Sequence, residues 1–391
     1  MAPILTNSPE RLQWFHDIGF GLFVHWSMDS QLGSVIGHSM ADASADYLTR
    51  FIDDLPSTFN PKRFDPEEWA VLARLAGIRY VVFTTKHHSG FCMFHTETTD
   101  FSIAHTPFQR DITAEVIEAF RRQDIAIGLY FSPDDFWLLH QKGKAIHRGV
   151  KPEACDGLLA HNQTQMRELL THYGKIDIVF FDGHSDGLRE VCWEIDPEIV
   201  VTRGAMPTPE QHIPGVQSAE PWEACVTMGT GWQYKPTNEH YKSGTQLIEL
   251  LIETRAKGGN LLLNVGPRGV DATIPEMQSS RLEFLGDWLD RDGDAIYGST
   301  PWSAAESETT DCDPVHLTRR GEVLYVTILG QPDGPEISFS VPGRLPEELV
   351  ATRLDRGKPV GVRRQGDVLT LQLDEPLRPA PAHSFSIATA R

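Results

Sequence analysis

One complete helix and the strand that follows it can be identified in Asp65-Pro66-Glu67-Glu68-Trp69-Ala70-Val71-Leu72-Ala73-Arg74-Leu75-Ala76-Gly77-Ile78-Arg79-Tyr80-Val81-Val82-Phe83-Thr84-Thr85. The helix is predicted to begin after Asp65, whose side chain can cap the first turn, and a proline follows at the first helical position. Its apolar residues recur at i, i+3, i+4 and i+7 before Gly77 ends it. The run from Tyr80 to Thr85 is aromatic and β-branched, which is typical of a buried strand. This stretch therefore predicts a helix that leads into a parallel sheet.

The same alternation extends on both sides of that stretch, from Gly19 to about Tyr297. Further strands are predicted at 19–24, 125–131, 176–181, 198–202, 225–228 and 260–265, and further helices at 111–123, around 166–173, at 247–257 and at 275–290. Strands that alternate with helices pair in parallel through right-handed crossovers. A doubly wound sheet would need a glycine-rich phosphate loop after its first strand, and that loop is missing. The predicted fold class is α/β, a (β/α)8-like TIM barrel with room for one irregular unit.

The sequence pattern changes after Pro301. Runs of alternating apolar residues appear at 322–329, 336–341 and 367–373, and glycine and proline separate them. Period-two alternation without a helical period is typical of antiparallel strands. We therefore predict two domains, a catalytic barrel over residues 1–300 and an antiparallel β-sandwich over residues 301–391.

The composition narrows the classes of partner. The 391 residues carry 35 Lys and Arg against 54 Asp and Glu, a formal net charge of −19. A chain this acidic repels phosphate backbones and anionic lipid, so we expect no nucleic acid and no membrane among its partners. The five scattered cysteines have no C-x-x-C spacing, and the N-terminal residues have no signal-peptide pattern. We therefore expect a cytoplasmic location.

Candidate functional groups follow the predicted strands, at the end of a barrel where active sites lie. They are His25 and Trp26, Lys86 to His88, Tyr130 to Ser132, Asp182 to His184, and Arg203. Imidazole, aromatic and guanidinium groups suit a neutral polyhydroxylated ligand. Asp182 directly follows an apolar strand, which is where a retaining glycosidase needs an ionised nucleophile. An aspartate before glycine is also a common turn residue, so position alone leaves both interpretations open.

Two other chemistries can be tested against the same residues. His87 and His88 are adjacent, and adjacent side chains on an extended chain point to opposite sides, so we predict no metal site.

The segment Gly183-His184-Ser185-Asp186-Gly187 matches G-x-S-x-G after a strand. Ser185 is therefore the candidate nucleophile of an alternative function, a serine hydrolase.

Several ordered motifs together resemble the retaining α-L-fucosidases of glycoside hydrolase family 29. The matching segments are Phe20-Gly21-Leu22-Phe23-Val24-His25-Trp26, Phe59-Asn60-Pro61, Phe64 to Ala70, Ala76 to Tyr80, Thr85-Lys86-His87-His88-Ser89-Gly90-Phe91, Lys257 to Pro267, and Asp294-Ala295-Ile296-Tyr297-Gly298. Each motif alone is weakly specific, but their order along most of the chain is strong support. The resemblance implies a barrel followed by a β-sandwich, in agreement with the pattern of strands and helices.

The resemblance also implies roles for individual residues. Asp182 would be the nucleophile, and the substrate-binding residues would be His25, His87, His88, Tyr130, Arg203 and Trp232. Glu210, in Thr208-Pro209-Glu210-Gln211, is similar to the family's acid/base position, and Glu223 is the alternative. The implied function is exo-acting hydrolysis of terminal α-L-fucose from fucosylated oligosaccharides or glycoconjugates, with no cofactor and no metal. The remaining alternative is a catalytically silent fucose-binding protein.

Two segments depart from the family pattern near the implied pocket. His38-Ser39-Met40 stands where many relatives have Glu-Trp-Tyr, and Trp232-Gln233-Tyr234 stands where they have Trp-Gly-Tyr. Leaving-group preference and sugar specificity are the properties that these changes would alter.

Overall fold

The computed structural model describes residues 5–343 and 345–389, and the first part of the chain alternates strands with helices as predicted. Its strands are β1 (Phe20–Val24), β2 (Tyr80–Lys86), β3 (Ala126–Phe131), β4 (Ile178–Phe181), β5 (Val200–Val201), β6 (Trp222–Thr227) and β7 (Gly259–Val265). The helices are α1 (Pro9–Ile18), α2 (Ala45–Thr49), α3 (Leu55–Thr58), α4 (Pro66–Leu75), α5 (Ile112–Arg122), α6 (Phe136–Gln141), α7 (Leu158–His172), α8 (Arg189–Ile195), α9 (Gly244–Ala256) and α10 (Glu276–Asp292).

The seven strands form one parallel sheet in the order β5-β4-β3-β2-β1-β7-β6. Every residue of β1, β2 and β7 is buried, as a sheet packed on both faces requires. The predicted (β/α)8-like fold is confirmed. Helices cover the outside, and α4 is anchored where the Trp69 indole donates to the carbonyl of Ala272 at 3.0 Å.

The irregular unit lies between β5 and β6, where the described chain contains no helix. The segment 207–211 runs beside β6 instead, and the amides of Glu223 and Cys225 each donate to it at 3.1 Å. Glu210 pairs with Cys225 in a parallel bridge. This short extended segment carries a candidate acid/base residue toward the carboxyl end of β6, close to the end of β5.

The second part of the chain is an antiparallel sheet of eight strands. They are β8 (Thr300–Glu308), β9 (Pro314–Arg320), β10 (Val323–Leu329), β11 (Glu336–Ser340), β12 (Leu349–Arg353), β13 (Lys358–Gln365), β14 (Val368–Gln372) and β15 (Ala382–Thr389). The first residues of β13 pair with β12 and the later ones with β14, so this strand joins the two layers. A bridge between Thr309 and Phe339 brings the two edges of the sheet together. The predicted antiparallel β-domain is confirmed, with its two layers continuous through β13.

The β-domain packs against the last two helices of the barrel, α9 and α10. The Trp288 indole of α10 donates to the carbonyl of Ala382 at 3.1 Å, and the amide of Ser384 donates to the Asp292 carboxylate at 3.0 Å. The sheet therefore braces the barrel from the side.

Within the described part of the chain, no helix has the length and apolar character needed to cross a membrane.

We predict that Gly286→Ala destabilises the barrel. A Cβ at Gly286, in the middle of α10, would lie 2.1 Å from the carbonyl oxygen of Leu75 and 3.0 Å from the Cα of Ala76. Both atoms belong to the backbone at the end of α4, so the two helices must separate. The better helix propensity of alanine offsets only about 1 kcal/mol of this cost. Thermal unfolding followed by circular dichroism should show a net loss of about 1–3 kcal/mol.

The matched control is Ser280→Ala, at an exposed position of the same helix. It should leave the melting temperature of the protein within a degree or two of wild type. Equal melting temperatures for the Gly286 and Ser280 variants would contradict the close helix contact.

Candidate active site

Parallel pairing brings the carboxyl ends of the strands to one rim, and a narrow pocket opens there. Most of the predicted site residues line it, together with five residues that were not predicted as part of the site. The lining residues are Phe23, His25, His38, His87, Tyr130, Arg148, Phe180, Asp182, Arg203, Glu210, Cys225 and Trp232. Of these, His38, Arg148 and Cys225 are the polar residues that sequence reasoning did not assign to the site.

Asp182 lies at the centre of the pocket, directly after β4. One carboxylate oxygen, Oδ2, accepts a hydrogen bond from the Tyr130 hydroxyl at 2.9 Å, and His88 Nε2 lies 3.3 Å from it. The other oxygen, Oδ1, accepts from Arg203 Nη1 at 3.1 Å. The side chain is 16 % exposed, so it faces the pocket while most of its surface is covered. The structure therefore gives this aspartate a site environment and not that of a surface turn.

The surroundings of Asp182 favour its ionised form. Burial on its own raises the pKa of the carboxyl, but the hydrogen bond and charge of His88 and the charge of Arg203 outweigh it. The net result is a pKa well below the usual range for aspartate. A carboxylate that is ionised at neutral pH and open to a pocket is the state that a glycosidase nucleophile requires.

Two histidines supply neutral imidazole groups to the pocket. Burial lowers the pKa of His25 to about 3, and its Nδ1 lies 2.6 Å from the side-chain oxygen of Asn264. Burial also lowers the pKa of His87, whose ring is stacked on Tyr130 with 5.2 Å between centroids. Neutral rings can donate to or accept from hydroxyl groups. They therefore suit an uncharged polyhydroxylated ligand, as predicted.

The indole ring of Trp232 lies beside these polar groups. The rings of Trp232 and His25 have centroids 4.8 Å apart, and the carbonyl of Trp232 accepts from the Asn264 amide at 2.6 Å. Asn264 thus positions both rings from the end of β7. An exposed indole face can cover the apolar C–H surface of a sugar.

Arg203 connects the two predicted carboxylates. Its Nη1 binds Asp182, and its Nη2 donates to Glu210 Oε2 at 3.1 Å. The guanidinium is itself held by Thr208, whose hydroxyl accepts from Nε at 3.0 Å, and lies over the Phe180 ring. The Glu210 side chain is 43 % exposed at the pocket mouth. The structure therefore brings Asp182, Arg203 and Glu210 together, with Glu210 on the solvent side.

Glu223, the alternative acid/base, lies elsewhere. Its side chain is fully buried inside the barrel, where the Tyr80 hydroxyl donates to Oε1 at 2.8 Å. Tyr80 is the first residue of β2, so this contact is at the amino-terminal end of the strands, away from the pocket rim. Burial raises the pKa of Glu223 to about 7. The raised pKa would suit a general acid, but the position gives it no access to the pocket.

His88 and Arg148 are connected through a buried aspartate. His88 Nδ1 lies 2.6 Å from the Ser132 hydroxyl and 3.5 Å from Asp134. The Asp134 carboxylate also accepts from the amides of Gly149 and Val150, at 2.9 and 2.8 Å. These bonds hold the loop that carries Arg148, whose guanidinium reaches within 3.7 Å of Asp182. The loop has no motif of its own, so no sequence signal pointed to Arg148.

The fold also places a third histidine beside the adjacent pair. Within the described residues, ring nitrogens of His38, His87 and His88 all lie within 4.8 Å of one another. His38 lies about fifty residues before the pair, so the spacing along the chain gave no sign of it. The three rings are of the residue type found in metal sites, and the expectation of no metal site stays a prediction.

Ser185 does not have the setting of a serine nucleophile. It is 6 % exposed, and its hydroxyl lies against Gly204 and not at the open end of the sheet. Its backbone carbonyl accepts from Leu188 and Arg189 at the start of α8. The G-x-S-x-G match is thus a turn that leads into α8, and the serine hydrolase alternative is not favoured.

A parallel barrel with an ionised aspartate, a second carboxylate and neutral imidazoles at its carboxyl rim defines a carbohydrate-hydrolysing barrel enzyme. Comparison with known proteins narrows this class. The profile of the family described as Alpha-L-fucosidase matches residues 5–294. The chain therefore belongs to the α-L-fucosidase family, glycoside hydrolase family 29, and it is a glycoside hydrolase.

Individual α-L-fucosidases are similar to this chain over most of their length. An α-L-fucosidase of Branchiostoma floridae is 27 % identical over 92 % of this chain and 88 % of its own. Human tissue α-L-fucosidase is 28 % identical over 84 % of this chain and 78 % of its own. α-L-fucosidase isoenzyme 1 from Paenibacillus thiaminolyticus superimposes with a TM-score of 0.83 and 26 % identity, over 98 % of this chain and 99 % of its own. The structure of the Thermotoga maritima α-fucosidase in complex with fucose superimposes with a TM-score of 0.82 and 27 % identity, over 98 % of this chain and 97 % of its own.

We predict that Glu223→Gln stabilises the protein in a pH-dependent way. Burial raises the pKa of Glu223 from its ordinary value of 4.5 to about 7 in the folded state. Below pH 4.5 both the folded and the unfolded forms are protonated, so this group adds no pH dependence. Between pH 4.5 and 7 only the unfolded form ionises, so wild-type stability falls as the pH rises.

A glutamine stays neutral at every pH and can keep the hydrogen bond from Tyr80. The melting temperature of the variant, relative to wild type, should therefore rise from pH 4.5 to 7 and level off above. The corresponding gain in free energy of unfolding is at most about 3 kcal/mol. A difference in melting temperature that is the same at pH 4 and pH 8 would contradict a buried, largely protonated Glu223.

Proposed function

We propose that this protein is an exo-acting, retaining α-L-fucosidase that releases terminal α-L-fucose from fucosylated oligosaccharides or glycoconjugates by double displacement. The observation that carries the proposal is the shared contact of Asp182 and Glu210 with Arg203, at the inner and outer sides of one pocket. A pocket closed on one side and open at Glu210 fits a terminal sugar whose leaving group points to solvent.

In the first step, an oxygen of Asp182 attacks the anomeric carbon and forms a glycosyl ester. The bond from that carbon to the leaving oxygen breaks, and Glu210 gives its proton to that oxygen. Tyr130 and Arg203 hold the two carboxylate oxygens of Asp182 in place, so attack requires little reorganisation. The neutral imidazoles of His25 and His87 can bind hydroxyl groups of the sugar, with Trp232 beside its apolar side.

In the second step, Glu210 takes a proton from water while the water oxygen attacks the anomeric carbon. The bond from that carbon to Asp182 breaks, and the free carboxylate returns. The ester has no negative charge, so Arg203 then has Glu210 as its remaining carboxylate partner in the pocket. The shared guanidinium thus keeps Glu210 beside the reacting carbon in both steps.

The alternatives account for the site less well. A silent fucose-binding protein has no need for two carboxylates joined by one arginine at a sugar pocket. The family match and the Thermotoga maritima α-fucosidase structure with a mechanism-based inhibitor, 26 % identical to this chain, support an active enzyme. The cytoplasmic location expected from the sequence stays a prediction.

We predict that Asp182→Gly lowers kcat for an aryl α-L-fucoside by about 10³-fold or more, because no ester can form. Azide should restore release of the aryl group, since it can enter the space left by the carboxylate and attack directly. The product of that rescue should be a β-fucosyl azide, which nuclear magnetic resonance identifies.

The matched control is Asp186→Gly, which removes an exposed carboxylate paired with Arg189 from the same loop. Its kcat should stay within a few-fold of wild type, without any effect of azide. Near-normal turnover in Asp182→Gly would rule out this nucleophile.

We predict that Glu210→Ala lowers kcat/KM by an amount that depends on the leaving group of the substrate. An aryl fucoside with an acidic phenol needs little protonation, so its kcat/KM should fall less than about tenfold. A fucosylated oligosaccharide has an alcohol leaving group and should lose about 10²–10⁴-fold. Both values come from initial rates measured side by side at the pH of maximal activity.

Two neighbouring glutamates serve as controls. Glu220 is exposed and outside the pocket, and Glu223 is buried below it, so Glu220→Ala and Glu223→Gln should show no leaving-group dependence. If Glu223→Gln shows that dependence and Glu210→Ala does not, the acid/base assignment is wrong.

A further inference from the structure

Three imidazoles meet at one side of the active-site pocket. His38 lies on a short 3₁₀ turn after β1, and His87 and His88 directly follow β2. Their ring centroids are 4.5 to 5.7 Å apart in the three pairs. Two of the rings have a buried nitrogen without a hydrogen-bond partner among the described residues, His38 Nε2 and His87 Nδ1, and the third, His88, directs Nε2 at Asp182. Two unsatisfied buried nitrogens beside a carboxylate indicate a missing shared partner.

Imidazole rings are among the commonest ligands of transition-metal ions in proteins. A neutral imidazole keeps a lone pair, which a protonated one has lost. Divalent transition metals such as Zn²⁺ bind imidazole in this form.

A fourth ligand is in place beside His88. Its Nε2 lies 3.3 Å from Asp182 Oδ2. Two ligands of a tetrahedral zinc ion, each about 2.0–2.1 Å from the metal, are separated by about 3.4 Å. The histidine ring nitrogens lie up to 4.8 Å apart, which is more than this ligand–ligand separation. Rotations of the rings must therefore bring the nitrogens closer together around an ion.

The second nitrogen of His88 also has the surroundings of a metal-bound histidine. Its Nδ1 lies 2.6 Å from the Ser132 hydroxyl and 3.5 Å from the Asp134 carboxylate. A hydroxyl or carboxylate behind a ligating ring orients it and selects the tautomer that faces the metal. These contacts exist without any ion, so the site is partly preorganised.

We propose that His38, His87 and His88, with Asp182 as fourth ligand, bind one Zn²⁺-class ion that reversibly inhibits the enzyme. The bound ion would take the carboxylate oxygen that attacks the sugar and fill part of the sugar pocket. Inhibition should therefore be competitive with the fucoside.

The charges around the site limit its affinity. Arg203 and Arg148 lie 3.1 and 3.7 Å from Asp182, and both positive charges oppose a second cation. We therefore expect reversible binding in the micromolar range, far weaker than a resident structural zinc. The metal is an inhibitor in this proposal and takes no part in the hydrolytic step.

The direct test measures metal binding without reference to activity. Wild-type protein treated with a chelator and then desalted is titrated with ZnCl₂ in a calorimeter, beside His38→Gln and His172→Gln. We expect one equivalent bound by wild type and by His172→Gln, whose histidine is exposed at the end of α7. His38→Gln should bind at least tenfold more weakly. No binding by wild type, or equal binding by His38→Gln, would overturn the proposal.

A second measurement needs no variant and covers the case in which His38→Gln folds poorly. Co²⁺ in a four-coordinate site absorbs strongly in the visible, whereas a six-coordinate surface ion absorbs weakly. One equivalent of Co²⁺ added to wild-type protein should give the strong bands, and Zn²⁺ should remove them. Only weak absorption at saturation would exclude the three-histidine site.

Kinetics then connect the site to inhibition. Zn²⁺ should raise the apparent KM for an aryl α-L-fucoside without lowering kcat, and a chelator should reverse the effect. The inhibition constant should match the calorimetric Kd and rise at least tenfold in His38→Gln. Tight Zn²⁺ binding with unchanged KM would show that the ion lies outside the sugar pocket and would reject the inhibitory role. Because the binding tests do not use turnover, they remain valid if the proposed hydrolysis is wrong.

Discussion

A negative charge held inside the barrel is the constraint on which the site depends. An isolated carboxylate in such a place would cost several kcal/mol and would become protonated. Asp182 stays ionised because Tyr130, His88 and Arg203 surround it. These groups follow or end different strands, so their meeting requires parallel strands whose carboxyl ends share one rim. The chemistry of the pocket therefore depends on the register in which the strands of the barrel pair.

The guanidinium of Arg203 extends this arrangement outward. It contacts the buried aspartate on one side and the exposed Glu210 on the other, so the two carboxylates respond to the same charge. In the proposed mechanism, the loss of charge on Asp182 changes the electrostatic field at Glu210 without any movement of the backbone. The irregular extended segment at 207–211 makes this possible, because a regular helix after β5 would carry Glu210 away from the rim.

Much of the fold was predictable because its signals are local. The helix at Pro66–Leu75 and the strand at Tyr80–Lys86 follow from a cap, an apolar period and a buried run within about twenty residues. Asp182 was a candidate for the same reason, as a carboxylate directly after an apolar strand, although its position alone also fitted a turn. The short strand Val200–Val201 and the extended segment after it have few local signals, and the sequence showed only that one unit would be irregular.

The amino-acid sequence by itself determined the barrel and the β-domain, since the spacing of apolar residues along the chain specifies both. Only the tertiary structure separated the positions of Glu210 and Glu223, the two acid/base candidates. Both follow a proline within two residues in the same irregular region, but one reaches Arg203 at the rim and the other is buried against Tyr80. It also decided the grouping of His38 with His87 and His88. Contacts between residues far apart in the chain depend on how the strands pair, and no local pattern records them.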